Sequence, residues 1–114
     1  MINRAALILR YNQAFVDWIN AVDPSTRSHV LSRDEVNDEH TIYLLDGVES
    51  EEELQDWLKA NHQALFESEL QGWYTDPALW PKDRSMELLK RWCSLELHTV
   101  VVDTGRSKIR DDET

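Results

Sequence analysis

The chain has 114 residues, of which 22 are acidic and 12 are basic, so its formal net charge at pH 7 is −10. This length suits one domain, and three Gly with three Pro exclude collagen-like and low-complexity chains. No apolar stretch approaches the roughly 20 residues that a membrane-spanning helix needs. The negative charge also excludes nucleic acid as a partner, because phosphate groups would be repelled.

The N-terminus and the single cysteine indicate a cytoplasmic protein. The apolar run at residues 5–9 is closed by Arg10 and is shorter than the roughly 7–15 apolar residues of a signal peptide. Cys93 has no second cysteine with which to form a disulfide within the chain. Its position late in a predicted helix would raise the pKa of the thiol, so we expect a buried, structural side chain.

The first half of the chain predicts two strands and a helix. Residues 5–11, which are apolar up to Arg10 and end in Tyr11, are typical of a strand. Pro24 ends the helix that follows. The apolar face of this helix is formed by Phe15, Trp18, Ile19 and Val22. Residues 25–40 are polar and predict a single helical turn, where Ser32 and Glu35 match a capping box. Residues 41–45 are the second strand, and the chain turns at Asp46-Gly47.

The second half predicts a long helix, two shorter helical segments and a strand. The long helix begins after Ser50 with an acidic first turn and ends at Gly72, which we expect in the left-handed conformation. A short turn follows Asp76-Pro77, and a further helix begins after Asp83 or Ser85. Residues 95–103 carry the strongest strand signal of the chain. We expect a globular domain over residues 1–104 and a mobile tail over 105–114.

These elements predict an α/β or α+β fold, a two-layer sandwich in which three to four helices cover a three-stranded sheet. The predicted order is β-α-β-α-α-β. If the first two strands are parallel neighbours, their crossover should be right-handed. The opposite face of the sheet would then need a partner, or cover from the polar segment.

Several short motifs carry a resemblance. FVDWIN at 15–20, GWY at 72–74, LWP at 79–81 and LHTVVVD at 97–103 resemble a family of short, acidic, uncharacterised bacterial proteins. The resemblance covers most of residues 1–104 and consists mainly of aromatic packing positions. It implies a bacterial, cytoplasmic protein, and it implies no activity and no catalytic residue.

Negative charge is concentrated in one stretch of the chain. Residues 34–69 hold twelve acidic residues and one basic residue, Lys59. Four of the acids are three or four positions apart on the long helix or at its start and predict a partner-binding surface: Glu49, Glu52, Glu53 and Asp56. Such a surface would attract a basic protein. The alternative is a solvated face that only keeps the protein soluble.

A second candidate surface is aromatic. Trp73, Tyr74 and Trp80 crowd the connection between the last two helices, and such side chains are frequent in interfaces. They predict a contact with a partner or with a second copy of the chain in a homodimer. The alternative is a lid that packs over the helices.

A third possibility is a small-molecule site. Asn12, Asp46 and Asp103 each follow a predicted strand, and they would converge if all three strands were parallel. The alternative is that each side chain caps a turn. The sequence offers no catalytic motif, no metal-ligand pair and no cofactor motif. It therefore predicts a non-enzymatic interaction or regulatory module, and the alternative is a ligand- or metal-binding domain or enzyme with a composite pocket at the strand ends.

Overall fold

The computed structural model describes residues 1–22 and 30–111. Pro24, the start of the polar segment and the last three residues of the predicted tail lie outside the described residues. The elements in chain order are β1 (Ala5–Tyr11), α1 (Gln13–Val22), α2 (Arg33–Val36), β2 (Ile42–Leu45), α3 (Glu51–Gln71), a 3-10 turn (Pro77–Leu79), α4 (Met86–Trp92) and β3 (Cys93–His98).

The three strands form one antiparallel sheet with the order β2-β1-β3. Leu7 in the central strand lies opposite Tyr43 on one side and Leu97 on the other. The predicted α+β fold is thereby confirmed, with the element order β-α-α-β-α-α-β. The first two strands are neighbours but antiparallel, so the condition for a right-handed crossover is not met. The helical connection α1–α2 returns the chain to the end of the sheet at which β1 finishes, so β2 runs back along it.

The core lies between the sheet and the helices. Alternate residues of β1 point toward the helices, so Ala5, Leu7 and Leu9 are buried. They meet apolar residues of α1, α3 and α4, the largest of which are Phe15 and Phe66. On the opposite face of the sheet, the large side chains of β2 are exposed, Ile42 by 58% and Leu44 by 50%.

The helix ends follow the local sequence signals closely. The Ser32 hydroxyl accepts from the backbone N–H of Glu35, whose side chain accepts in return from Ser32, so the predicted capping box is confirmed. Ser50 caps α3 as predicted. Gly47 has a φ of +74° in the turn after β2, where a side chain would be strained. Gly72 has a φ of −62°, so its predicted left-handed conformation is wrong.

The third strand is displaced from its predicted position. It begins at Cys93, which was expected inside a helix, and it ends at His98, five residues before the predicted end. Because His98 pairs with Ala6, β3 ends next to the beginning of β1, and a longer β3 would have no strand to pair with. Beyond that point, Ile2 donates one backbone hydrogen bond to Val101, and Val100 and Val102 are exposed. Cys93 itself is buried, as expected.

The two valines Val16 and Val102 provide a matched test of this packing. Val16 is fully buried in α1, whereas the side chain of Val102 is 62% exposed. We expect Val16→Ala to lower the free energy of unfolding by about 2 kcal/mol, because it removes buried methyl groups. Val102→Ala should change it by less than about 0.5 kcal/mol. Urea unfolding measures both values, and equal losses would contradict the described position of residues 99–104.

Candidate functional site

Glu69 is a charged side chain inside the core. It is 7% exposed, and it is the one charged residue that is buried among the described residues. It belongs to the last turns of α3, where Leu65, Phe66 and Leu70 form the buried face of the helix. Residues three and four positions apart share a helix face, so Glu69 lies on the buried face of α3 and its carboxylate points toward the sheet.

Two tyrosines of the sheet bind the Glu69 carboxylate. The Tyr11 hydroxyl donates to Oε1 at 2.6 Å, and the Tyr43 hydroxyl donates to Oε2. Both phenols lie on the helix-facing side, because Tyr43 is opposite Leu7 and Tyr11 follows Leu7 by an even number of residues. The indole N–H of Trp73 donates to the Tyr11 oxygen at 3.1 Å, and Ser68 Oγ lies 3.2 Å from the Tyr43 oxygen. Both carboxylate oxygens therefore accept charge-assisted hydrogen bonds.

Burial and the negative charge change the acidity of the groups around Glu69. Burial, followed by the charge of Glu69, raises the pKa of Tyr11 far above its ordinary value. Burial and the hydrogen bond to Glu69 raise the pKa of Tyr43 in the same direction. Burial, with a contribution from Glu69, also raises the pKa of the Cys93 thiol. Near neutral pH these groups keep their protons, so they supply neither a base nor a nucleophile.

An open cleft of about 440 Å³ lies beside this cluster. Glu69, Tyr11 and Trp73 contribute to its wall, together with the apolar side chains of Leu9 and Val36. Its rim is polar and is formed by α2 and the residues that follow: Glu35, Asp38, Glu39, His40 and Thr41. The cleft therefore combines an aromatic and apolar wall with four carboxyl groups.

Most of this negative charge has no cation beside it. Glu35 is held by its capping box, but the exposed side chains of Asp38 and Glu39 make no hydrogen bond or ion pair with any described residue. Glu69 likewise forms no ion pair within the described part of the chain. Its neighbour Glu67 differs, since Arg84 Nε lies 2.9 Å from the Glu67 Oε2 atom. The cleft is thus a site of uncompensated negative charge.

His40 joins this cleft to the open face of the sheet. Its Nε2 atom lies 3.3 Å from Nη1 of Arg10. Arg10 also forms two hydrogen bonds to the carboxylate of Glu96, with its Nε 3.2 Å from Oε1. A guanidinium has only donors, so the hydrogen bond requires His40 Nε2 to be the acceptor and to carry no proton.

The predicted acidic surface occupies the other end of α3. Glu49, Glu52, Glu53 and Asp56 are all exposed there. Glu53 also belongs to the cap, because its Oε1 accepts from the backbone N–H of Glu49. From Glu52 to Glu69 the helix rises roughly 25 Å at about 1.5 Å per residue. The acidic stretch of the sequence is therefore divided into two separate groups, of which one surrounds the cleft.

The predicted aromatic surface is bonded within the chain. Trp73 donates to Tyr11, Tyr74 donates its hydroxyl to the Ile19 carbonyl at 2.6 Å, and Trp80 donates its N–H to the Tyr74 carbonyl at 2.7 Å. All three side chains are half-buried, and Trp73 and Trp80 pack against the core. These contacts are compatible with a lid over the helices, the alternative for this segment, and the contact with a partner stays a prediction. Trp73 alone among them also lines the cleft.

The three strand-end residues do not converge. Asn12 follows β1 at one end of the sheet, where its side chain bonds Arg91 and Ser94, and Asp46 follows β2 at the opposite end. Asp46 Oδ1 lies 3.5 Å from the Arg4 guanidinium. Asp103 caps its own turn by accepting from the Gly105 N–H at 2.8 Å. Because the sheet is antiparallel, the condition for a shared pocket is not met.

The cluster around Glu69 was not singled out from the sequence. Glu69 is one of the twelve acids of residues 34–69, and Tyr11 and Tyr43 lie in predicted strands whose patterns assign them no role. One signal was available: Glu69 follows Leu65 by four positions and Phe66 by three, so it interrupts the apolar stripe of a helix. The partner residues follow only from the strand pairing.

Three further properties of the chain bear on its function. No family model, curated protein sequence or solved structure is significantly similar to it. The resemblance to short acidic bacterial proteins therefore stays a prediction.

Within residues 1–22 and 30–111, no three His, Cys, Asp or Glu side chains are grouped so that they could hold a metal ion. None of the helices described is both long enough and apolar enough to cross a membrane.

The Glu69 cluster predicts a loss of stability at alkaline pH. The pKa of Tyr11 and that of Tyr43 lie above their ordinary value of 10.0 in the folded state, so the unfolded chain loses these protons first. Their contribution to the free energy of unfolding is complete below about pH 10. Above that pH it declines, by up to about 1.4 kcal/mol per pH unit for each group. The double variant Tyr11→Phe/Tyr43→Phe should flatten this decline.

The measurement is urea unfolding between about pH 7 and about pH 11. At pH 7 the double variant should be less stable by about 1–3 kcal/mol for each lost donor, because the Glu69 carboxylate stays buried. Alkaline slopes that are identical in the variant and the parent protein would show that these phenols are not held as described.

Proposed function

We propose that this chain is a non-enzymatic interaction module that binds a basic segment of a partner protein in the acidic cleft. One observation carries the proposal. The buried carboxylate of Glu69 has no cation beside it among the described residues, and it lies in the wall of an open cleft whose rim holds Asp38 and Glu39, both unpaired there.

The chemistry of the cleft favours a Lys or Arg side chain. A cationic head group in the cleft would be attracted by the buried carboxylate of Glu69, where attraction is stronger than in bulk solvent, and by the exposed carboxylates of Asp38 and Glu39. The apolar stem of such a side chain matches the wall formed by Leu9, Val36 and Trp73. A volume of about 440 Å³ is suitable for a ligand of this size.

The remaining acidic residues support the same partner through long-range attraction. The whole chain carries a net charge of −10, and Glu49, Glu52, Glu53 and Asp56 lie at the start of α3, roughly 20 Å or more from Glu69 along the helix axis. Charges at that distance raise the rate of encounter with a basic protein and add little to the bound contact. We favour a basic partner over a homodimer, because the polar atoms of Trp73 and Trp80 are already bonded within the chain.

The compartment is part of the proposal. The single cysteine is buried and has no second cysteine in the chain. A domain that is folded without disulfides suits a reducing compartment. We therefore propose a bacterial protein that acts in the cytoplasm, as the resemblance of its motifs implies.

Two pairs of charge-neutralising substitutions test the proposal. Asp38→Asn/Glu39→Gln removes two charges from the cleft, and Glu52→Gln/Glu53→Gln removes two from the other end of α3. The probe is a fluorescent peptide of alternating Arg and Ser with blocked ends, measured by anisotropy at about 0.15 M salt. We expect the cleft variant to weaken binding about fivefold, since each exposed ion pair contributes about 0.5 kcal/mol.

The variant at the other end of α3 is the control, because it changes the net charge by the same amount. It should weaken equilibrium binding less than twofold at about 0.15 M salt, because interactions between charges that are more than a Debye length apart are then screened. Equal weakening by the two variants would mean that the peptide responds only to total charge, and the cleft would then not be its site.

A further inference from the structure

We propose that His40 makes cation binding in the cleft sensitive to pH, so that the cleft releases its basic partner when the imidazole gains a proton. This inference rests on the proposed function and names its regulation. The geometry that carries it is the position of one titratable ring between an arginine and the acidic rim. His40 lines the cleft, and its Nε2 accepts a hydrogen bond from Arg10.

The hydrogen bond from Arg10 defines the neutral state of the ring. Arg10 is fixed by two hydrogen bonds to Glu96, and Glu96 Oε2 also lies 2.8 Å from Nε2 of His98. This network on β1 and β3 holds the guanidinium beside the imidazole. If Nε2 binds a proton, it can no longer accept from Arg10, and two positive groups then face each other.

The cleft side of the ring has the opposite charge. The charged or titratable groups there are Glu35, Asp38, Glu39, Glu69 and the phenol of Tyr11. A protonated His40 is repelled by Arg10 and attracted by these carboxylates, so it becomes a cation that belongs to the chain and competes with the partner for them. The proton and the basic ligand therefore oppose each other's binding, and by linkage each lowers the affinity for the other equally.

Histidine is the side chain that ordinarily changes its charge between about pH 5 and about pH 8. Ordinary carboxylates and the guanidinium groups of an Arg–Ser peptide with blocked ends keep their charge over this range. A change in peptide affinity over the range therefore reports on histidine. We expect the affinity to fall roughly fivefold from about pH 8 to about pH 5.5, the effect of one added charge near the bound cation.

The test compares His40→Gln with His62→Gln by peptide anisotropy at both pH values. Gln keeps a polar side chain at position 40 and cannot gain a proton, so the pH dependence should disappear in His40→Gln. His62→Gln is the control, because His62 bonds the Leu58 carbonyl within α3 and does not line the cleft, and it should keep the dependence of the parent protein. Circular dichroism at both pH values verifies that each variant is folded.

Calorimetry in two buffers with different heats of ionisation provides a second readout. At a pH of about 6.5, peptide binding to the parent protein should release protons, and binding to His40→Gln should not. An affinity that is independent of pH in the parent protein, or equally dependent on pH in His40→Gln, would overturn the inference and leave the cleft as a binding site. Absence of peptide binding at either pH would overturn the proposed function and this inference together.

Discussion

The bridge from Glu69 to Tyr11 and Tyr43 connects the helical layer to the sheet. It joins the C-terminal end of α3 to the two adjacent strands β1 and β2, and it does so with a charged group inside the core. A buried carboxylate is costly unless its oxygens are hydrogen-bonded. Two phenols meet that need, and Trp73 orients one of them through its indole N–H. The hydrogen bonds satisfy the oxygens but leave the negative charge in place, next to an open cleft.

The fold places the acidic residues of the chain in two separate regions. Twelve acids in residues 34–69 form one block in the sequence, yet the rise of α3 separates them into two groups. At its N-terminal end, the acids are compatible with the helix dipole and take part in the cap around Ser50. At the other end, Glu69 lies near the negative pole of the helix and shares a cleft with Asp38 and Glu39. A cation from outside the chain would therefore interact most favourably with the second group.

Local signals predicted the helices well, and the parts that depend on long-range pairing were predicted less well. Ser50 and the Ser32–Glu35 capping box lie within one helical turn of the groups they bond, so the sequence alone identifies them. The end of β3 depends on where β1 begins, and residues 99–102 read as a strand although no partner strand remains for them. The same limit applies to the site. Glu69 interrupts an apolar stripe, but its two tyrosines can be assigned only once β1 and β2 are known to be antiparallel neighbours in that register.

The most direct test of the cleft as the binding site is a nitrogen-edited NMR titration that follows the five tryptophan indole N–H resonances while an arginine peptide is added. Trp73 lines the cleft and donates its indole N–H to Tyr11, whereas Trp57 lies beside Asp56 in the acidic group at the other end of α3. If the peptide binds in the cleft, the Trp73 resonance shifts progressively with peptide while that of Trp57 stays in place. A shift of Trp57 with Trp73 unchanged would contradict binding in the cleft, because the peptide would then be bound by the acids at the start of the helix.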